Sequence, residues 1–175
     1  MNASTRKKPE SSEYAPYYGK YVNRVPEGDI CEILEIQLAR TLALLTKAGE
    51  ARASYRYAPE KWSIREVVGH VIDTERIFAC RALCFARAET NPLPGFNQDT
   101  YVQAAGFGRR PLKDLATEFE LVRKANVILF RSLSEEAWER RGVANNVEFT
   151  VRSIPYIIAG HELHHVFILK QRYLV

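Results

Sequence analysis

The sequence of 175 residues lacks the two features that would direct it into or across a membrane. No apolar run approaches the roughly 20 residues that a membrane-spanning helix needs. The N-terminal stretch MNASTRKKPESSEY carries charges and serines but no apolar core of the kind that a signal peptide has. We therefore expect a cytoplasmic protein that has no membrane partner.

Cysteine is scarce, and its three copies are an odd number in a chain with no export signal. This favours free thiols over a disulfide framework. Cys80 and Cys84 could in principle bind a metal. Cys84, however, follows His70 by fourteen residues on one predicted helix, which is about 21 Å along the axis. The two cysteines therefore cannot share an ion with His70, and we interpret them as ordinary thiols.

Dense runs of basic residues are also lacking, although the net charge is +4 and the isoelectric point is near 9.0. Lysine and arginine alternate with acidic residues along most of the chain, and the one compact basic run is 6–8. The sequence has no helix-turn-helix pattern, zinc-finger spacing or aromatic-basic RNA-binding motif. We predict a mixed, solvated surface and no nucleic-acid partner.

Residues 1–24 form a polar tail that is rich in tyrosine and has no helical period. Such a tail is either disordered or laid by its rings across the domain or across a partner subunit. Its tyrosines are Tyr14, Tyr17, Tyr18 and Tyr21. We predict that residues 25–175 form a single domain, since that length suffices for one substantial core.

Apolar residues recur every three or four positions in four segments of this domain, which is the period of an amphipathic helix. The predicted helices are 29–47, 62–87, 111–133 and 150–173, with Asp29 as an N-cap and Gly49 as the end of the first. A short helix carries Trp138. We find no convincing strand, so the predicted fold class is all-α, an antiparallel four-helix bundle. The connections 88–110 and 142–149 read as loops, and the longer one could act as a lid.

All four histidines fall within the second and fourth predicted helices. His161 and His165 are four residues apart and therefore share one face of their helix, which is its apolar face. His70 could complete a three-nitrogen site that leaves one coordination position open, as in catalytic metal centres. On the helical wheel His164 is turned by about 60° from His161, and we interpret it as a rim residue. Glu162 is turned by about 100° and is a poorer ligand, but it could contact the ligands and orient them.

A simpler interpretation stays open for each of these polar residues. The histidines could be satisfied core or surface residues, which is the usual explanation for any single one. Asp73 and Glu75 could act as a base or hold His70. They could equally form salt bridges with Arg76 or Arg81 at the surface. Glu75 lies near the middle of the apolar face, where a buried carboxylate needs a partner.

The order of these residues resembles the DinB/YfiT-like superfamily of metalloenzymes. The segments that carry the resemblance are WSIREVVGH at 62–70, DTER at 73–76, LPGFN at 93–97 and AGHELHH at 159–165. The resemblance extends over residues 25–175. It implies a four-helix bundle with up-down-down-up topology, usually as a homodimer. It also implies a divalent metal held by His70, His161 and His165, with zinc or nickel first and iron or manganese as alternatives.

Relatives in this superfamily include thiol S-transferases, an isomerase and hydrolase-like members, so three functions follow as hypotheses. The leading one is an enzyme that binds a low-molecular-weight thiol as thiolate for attack on a small-molecule substrate. It needs cationic groups for the carboxylates of the thiol, and Arg81, Arg109 and Arg110 are the candidates. The second is a hydrolase that uses metal-bound hydroxide. The third is a non-catalytic metal-binding module of a stress response.

Overall fold

Four long helices make up the body of the protein in a computed structural model that describes residues 7–174. They pack as an all-α bundle, and short helices and one hairpin close its ends. In chain order the elements are α1 (Gly19–Val22), α2 (Ile30–Arg52), α3 (Ile64–Ala86), α4 (Gln98–Ala105), α5 (Leu112–Ser132), α6 (Glu135–Glu139), β1 (Arg141–Ala144), β2 (Val147–Thr150) and α7 (Ser153–Ile168), which continues as a π-helical turn over Leu169–Tyr173.

The helix starts follow from capping residues in the sequence. Asp29 accepts hydrogen bonds from the backbone of Cys31 and Glu32 at the start of α2. Ser63 and Glu66 form a reciprocal capping box at the start of α3. Gly49 has φ 67° and kinks α2 where the sequence predicted the helix to end. The predicted helices are therefore confirmed, and the first extends to Arg52 beyond the kink.

The helices are arranged so that α2 and α3 each pack against both α5 and α7. The first two helices of the bundle thus occupy opposite corners, with α5 and α7 at the two corners between them. The predicted contact between the second and fourth helices is confirmed as α3 against α7. None of the helices in residues 7–174 combines the length and the apolar composition that a membrane crossing needs.

Two segments that the sequence indicated as loops contain regular structure. Within 88–110, the Asn97 side chain accepts from the backbone of Asp99 and Thr100 and so caps α4, and Gly106, at φ 66°, ends it. Within 142–149, β1 and β2 form an antiparallel hairpin whose turn residues Asn145 and Asn146 have positive φ, as tight hairpin turns require. Both elements are too short to show a clear apolar period.

The described part of the tyrosine-rich segment, residues 7–24, lies on the bundle. Its helix α1 packs against α7, and Val22 is fully buried. The Tyr18 ring contacts Phe78 edge-on at a centroid distance of 5.7 Å. Of the two arrangements that the sequence allowed for an ordered tail, packing on its own domain is the one observed.

A layer of buried polar side chains crosses the bundle between two apolar clusters. On α3 the apolar residues of one cluster end at Ile72, and those of the other begin at Phe78. The two clusters are separated in the same way on the other two helices, around Arg123 on α5 and over residues 160–167 on α7. We call this the polar layer; its members are Thr41, His70, Glu75, Arg123, His161, Glu162 and His165.

Candidate metal centre

Three imidazoles meet between α3 and α7 in the polar layer. Nε2 of His161 lies 3.0 Å from Nε2 of His70 and 3.1 Å from Nε2 of His165. The nitrogens that the three residues offer all lie within 4.8 Å of one another. The structure therefore brings together the residues that the sequence grouped as ligands.

The local sequence explains this convergence. His161 and His165 stand one turn apart on α7, with ring centroids 4.5 Å apart. A glycine precedes His161, and a Cβ on Gly160 would lie 2.1 Å from the backbone oxygen of Tyr21. Only glycine therefore lets α1 cross α7 so closely at this point, and this crossing places the Tyr21 ring edge-on to His161 at 5.3 Å.

Burial keeps the three rings uncharged at neutral pH. Desolvation lowers the pKa of His70 to about 4 and that of His165 to about 3, and neighbouring imidazoles add to the effect. Burial also lowers the pKa of His161 well below its ordinary value, and the neighbouring imidazoles and Lys20 add to the effect. Neutral imidazole is the form that offers a lone pair to a metal.

The donor set fits a divalent ion. A neutral imidazole carries at Nε2 either one proton or one lone pair, so hydrogen bonding can serve only one of the two contacts of His161 well. Ligand nitrogens around a tetrahedral ion with bonds of about 2.0–2.1 Å stand about 3.3 Å apart. The two separations measured from His161 are close to that value, and three ligands leave one position for water or substrate.

Three residues that the sequence analysis did not single out surround the histidines. The Oγ1 atom of Thr74 lies 3.4 Å from Nδ1 of His70. The Trp62 ring packs on His70 at 4.7 Å, and Tyr21 covers His161 from α1. Thr74 follows His70 by one helical turn, so its spacing could have identified it, whereas Trp62 and Tyr21 come close only through the tertiary fold.

His164 lies outside the cluster, on the side predicted for a rim residue. Its ring is half-buried and contacts the Tyr21 ring at 5.6 Å and the His165 ring at 5.1 Å. Burial lowers its pKa, and the nearby cations Arg24 and Lys20 lower it further. His164 therefore offers a matched control for the three clustered histidines.

Glu75 and Glu162 bind Arg123 rather than a histidine. Arg123 donates from Nε and Nη2 to the two carboxylate oxygens of Glu75 at 2.7 and 2.8 Å. Its Nη1 lies 2.8 Å from Oε2 of Glu162, and Thr41 donates to the other oxygen at 2.6 Å. Both carboxylates belong to this buried triad, and Arg123 replaces Arg76 and Arg81 as the partner of Glu75. The sequence did contain a signal, because Arg123 lies midway between the buried Phe119 and Val127 on one face of α5.

Asp73 lies on a different surface of α3. It lines a separate, open cavity with Arg76 and Tyr101, and burial raises its pKa although Arg76 opposes the shift. Arg76 itself is paired with Glu118. Asp73 therefore does not belong to the histidine cluster.

The three predicted arginines are engaged away from the histidines. Arg81 is buried, donates to the backbone oxygen of Pro94 at 3.0 Å and lies over the Phe78 ring. Arg110 forms an ion pair with Glu118, and the guanidinium of Arg109 folds over Gly106. The structure brings none of the three into the wall of the cavity beside the histidines.

A cavity of about 450 Å³ opens beside the histidine cluster. His70 and His161 are part of its wall, together with Thr74. The remainder comes from Phe78 and Ile157, from the N-terminal segment, from the start of α4 with the two residues before it, and from the hairpin. The volume lies within the range of about 300–1,000 Å³ that is usual for small-molecule sites.

Comparison with known proteins identifies relatives of this arrangement. The sequence model of the DinB superfamily matches residues 33–168. No curated protein matches the sequence. Among solved structures, YfiT from Bacillus subtilis is similar with a TM-score of 0.72 and 15% identity, over 95% of this chain and 91% of that chain. It is described as a probable metal-dependent hydrolase with an unusual four-helix bundle topology.

Proposed function

The chain belongs to the DinB superfamily, and on that premise we propose that it is a divalent-metal-dependent hydrolase of small-molecule amides or esters. The observation that carries the proposal is the convergence of three neutral imidazoles beside a cavity of small-molecule size. The description of YfiT as a probable metal-dependent hydrolase supports the same class of reaction.

His70, His161 and His165 are the residues that would hold the ion. Their all-imidazole donor set suits zinc or nickel first, with iron or manganese as alternatives. When bound, a divalent ion supplies Lewis acidity, which polarises a carbonyl group and brings the pKa of a coordinated water toward neutrality.

Neighbouring residues orient the histidines and shield them from water. Thr74 faces Nδ1 of His70 and so orients that ring. Trp62 and Tyr21 cover the flanks of His70 and His161, which keeps bulk water from both rings. We assign neither Glu75 nor Asp73 as a base, since Glu75 holds Arg123 and Asp73 lines another cavity.

A thiol S-transferase at the same site is the less supported candidate. A low-molecular-weight thiol with several carboxylates needs cationic groups in the wall of its cavity. Arg81, Arg109 and Arg110 are engaged elsewhere, as described above. The non-catalytic alternative predicts either a site closed by a fourth protein ligand or a site without an adjoining pocket. The group of three histidines found in the described residues and the cavity beside His70 and His161 favour an enzyme instead.

The test uses two adjacent residues of α7. Protein purified without an affinity tag is analysed for metals and, once loaded, assayed for hydrolysis of a panel of small amides and esters. We expect about one equivalent of a divalent ion in the wild type and in His164→Ala, and loss of both the ion and hydrolysis in His165→Ala. Equal metal content in the two variants, or a loaded protein that hydrolyses nothing in the panel, contradicts the proposal.

The homodimer and the cytoplasmic location that the sequence analysis expected stay predictions. The tyrosines of the N-terminal segment do not require a partner subunit, because Tyr18 and Tyr21 contact Phe78 and His161 of the same chain. Sedimentation equilibrium of the full chain tests the assembly. A species of twice 20.0 kDa supports the homodimer, and a species of 20.0 kDa at micromolar concentration rejects it.

A further inference from the structure

Five of the fifteen residues in the wall of the cavity beside the histidines carry a tyrosine or phenylalanine ring. Rings from three parts of the chain contribute to it: the N-terminal segment, α3 and the segment that precedes α4. They belong to Tyr17, Tyr18, Tyr21, Phe78 and Phe96. Tyr17 meets Tyr18 edge-on at 5.2 Å, and Tyr18 meets Phe78 in the same way at 5.7 Å. A wall of this kind receives a flat ring by edge and face contacts.

The tyrosine side of this wall lies outside the region that defines the superfamily. Residues 15–21 precede the matched range 33–168. They are nevertheless held firmly in place, because Glu13 accepts from Thr150 at 2.7 Å and from Arg152 at 2.9 and 3.0 Å. The N-terminal segment thus adds an aromatic surface to a histidine cluster on α3 and α7.

The opposite side of the wall is also anchored. The backbone of Leu93 pairs with Val143 of β1, and Arg81 donates to Pro94. These contacts position Phe96 across the cavity from the tyrosines. Two rigid aromatic sides therefore flank the histidines, and a ligand ring can enter between them without reordering the chain.

Among the described residues, the charged groups around the cavity offer an anionic ligand one carboxylate and two cations that already have partners. The carboxylate is that of Asp99, which lies in the wall itself. The ammonium of Lys20 lies 3.7 Å from the centroid of the Tyr17 ring, and the guanidinium of Arg81 lies 4.8 Å from the centroid of the Phe78 ring and donates to Pro94. The other polar groups are neutral, namely the side chains of Thr74, Asn97, Gln98 and Asn145. Such groups suit the carbonyl and N–H of an amide or the carbonyl of an ester.

We propose that the cavity selects an uncharged amide or ester that carries an aromatic ring. The ring lies between the N-terminal tyrosines and Phe96, and the carbonyl group faces His70 and His161. This inference rests on the proposed function for the reaction, but ring binding and rejection of anions follow from the wall alone. The N-terminal segment is accordingly a determinant of specificity.

The experiment measures binding rather than turnover. Phenylacetamide serves as the neutral aromatic probe and succinamate as an anionic amide without a ring. Dissociation constants are obtained from chemical-shift titration of the full chain. Tyr17→Ala is the main variant, because this side chain is 60% exposed and its truncation leaves the core intact. Tyr55→Ala is the matched control, since Tyr55 is also exposed, at 48%, and is not part of the wall.

We expect the wild type and Tyr55→Ala to bind phenylacetamide at least tenfold more tightly than succinamate. Tyr17→Ala should bind phenylacetamide roughly tenfold more weakly, through the loss of ring contact area. Asp99→Asn should bind succinamate more tightly than the wild type does and so reduce the discrimination against it. Equal binding of the two probes by the wild type, or an unchanged constant in Tyr17→Ala, overturns the inference.

The two proposals fail in different ways. If phenylacetamide binds as expected but the loaded protein hydrolyses no amide or ester, the cavity assignment stands and the proposed function falls. If the protein hydrolyses anionic substrates in preference to neutral aromatic ones, the proposed function stands and this inference falls.

Discussion

The polar layer contains two buried clusters that differ in how their polar atoms are satisfied. In the triad, all three nitrogens of Arg123 contact oxygen atoms, from Glu75, Glu162 and the backbone of Leu34. In the histidine cluster, three Nε2 atoms point at one another. Buried polar groups are normally paired. We call the first cluster complete because each of its charges has a partner within the chain, although Oε2 of Glu162 is held by its ion pair with Arg123 and not by a hydrogen bond. The second cluster calls for a ligand from outside.

The complete cluster also supports the incomplete one. Arg123 of α5 contacts α2 through the oxygen of Leu34, α3 through Glu75 and α7 through Glu162. Burial opposes the charge on Arg123, but the two carboxylates outweigh it and raise the pKa of the guanidinium. A salt bridge that joins four helices at this level fixes the distance between α3 and α7, and therefore the separation of His70 from His161.

The largest expected effect comes from breaking the complete cluster. Arg123→Met leaves two carboxylates buried without their cation, and we expect a loss of about 3–5 kcal/mol in the free energy of unfolding. Urea denaturation measures it. The control is Arg131→Met, which removes an exposed pair with Glu35 and should cost less than about 1 kcal/mol. Equal losses in the two variants would show that the triad contributes no more than a surface pair.

The second prediction concerns the binding of a metal to the histidine cluster. A metal that binds only the folded chain, supplied at one hundred times its dissociation constant, stabilises it by about 2.7 kcal/mol. We expect this gain in the wild type and its reversal by a chelator. His161→Ala should show no gain, because His161 contacts both other ligands, whereas His164→Ala should respond like the wild type. A metal-induced gain of the same size in His161→Ala would argue against the three-histidine site.

A smaller effect is expected from the hydrogen bond behind His70. Thr74→Val keeps the shape of the side chain but removes the hydroxyl that faces Nδ1. Loss of such an outer partner weakens metal binding about tenfold, or about 1.4 kcal/mol. Competition with a chromophoric chelator measures the affinity. An unchanged affinity would mean that the hydroxyl does not help to orient the ring.

The comparison also explains which parts of the molecule the sequence could predict. The four long helices follow from their apolar period, and the pairing of His161 with His165 follows from helical geometry. Each of these features is local. The sequence also pointed to a partner for Glu75, because a buried carboxylate cannot stay alone. The position of Arg123 between Phe119 and Val127 marks it as a residue of the buried face, but no spacing connects it with a carboxylate 48 residues away.

The elements that the sequence missed depend on the tertiary fold. The helix α4 and the hairpin are stabilised by caps, turns and contacts with neighbouring segments rather than by a long apolar pattern. The aromatic wall of the cavity joins residues 17–21, 78 and 96, whose proximity no spacing encodes. The arginines chosen as anion ligands were selected by charge alone, and their actual partners, Pro94 and Glu118, are set by the packing of the connections.

The smallest expected effect concerns a third ionic contact, between Glu13 and Arg152 at the edge of the fold. Burial raises the pKa of this carboxyl, but hydrogen bonds from Arg152, the backbone of Glu10 and Thr150 outweigh it, and the net pKa lies below its ordinary value of 4.5. The folded state therefore favours the carboxylate. Its contribution is fully present above about pH 4.5 and is lost as the pH falls through the lower, folded pKa.

Glu13→Gln removes this contribution while it keeps one oxygen that can accept a hydrogen bond. At pH 7 we expect the variant to be less stable than the wild type by about 1 kcal/mol. The difference should shrink as the pH falls below 4.5, because the wild-type carboxylate then becomes protonated and loses its attraction for Arg152. Urea denaturation at a series of pH values follows both proteins. A gap between them that stays constant down to pH 3 would show that the negative charge of Glu13 does not hold the N-terminal segment on the bundle.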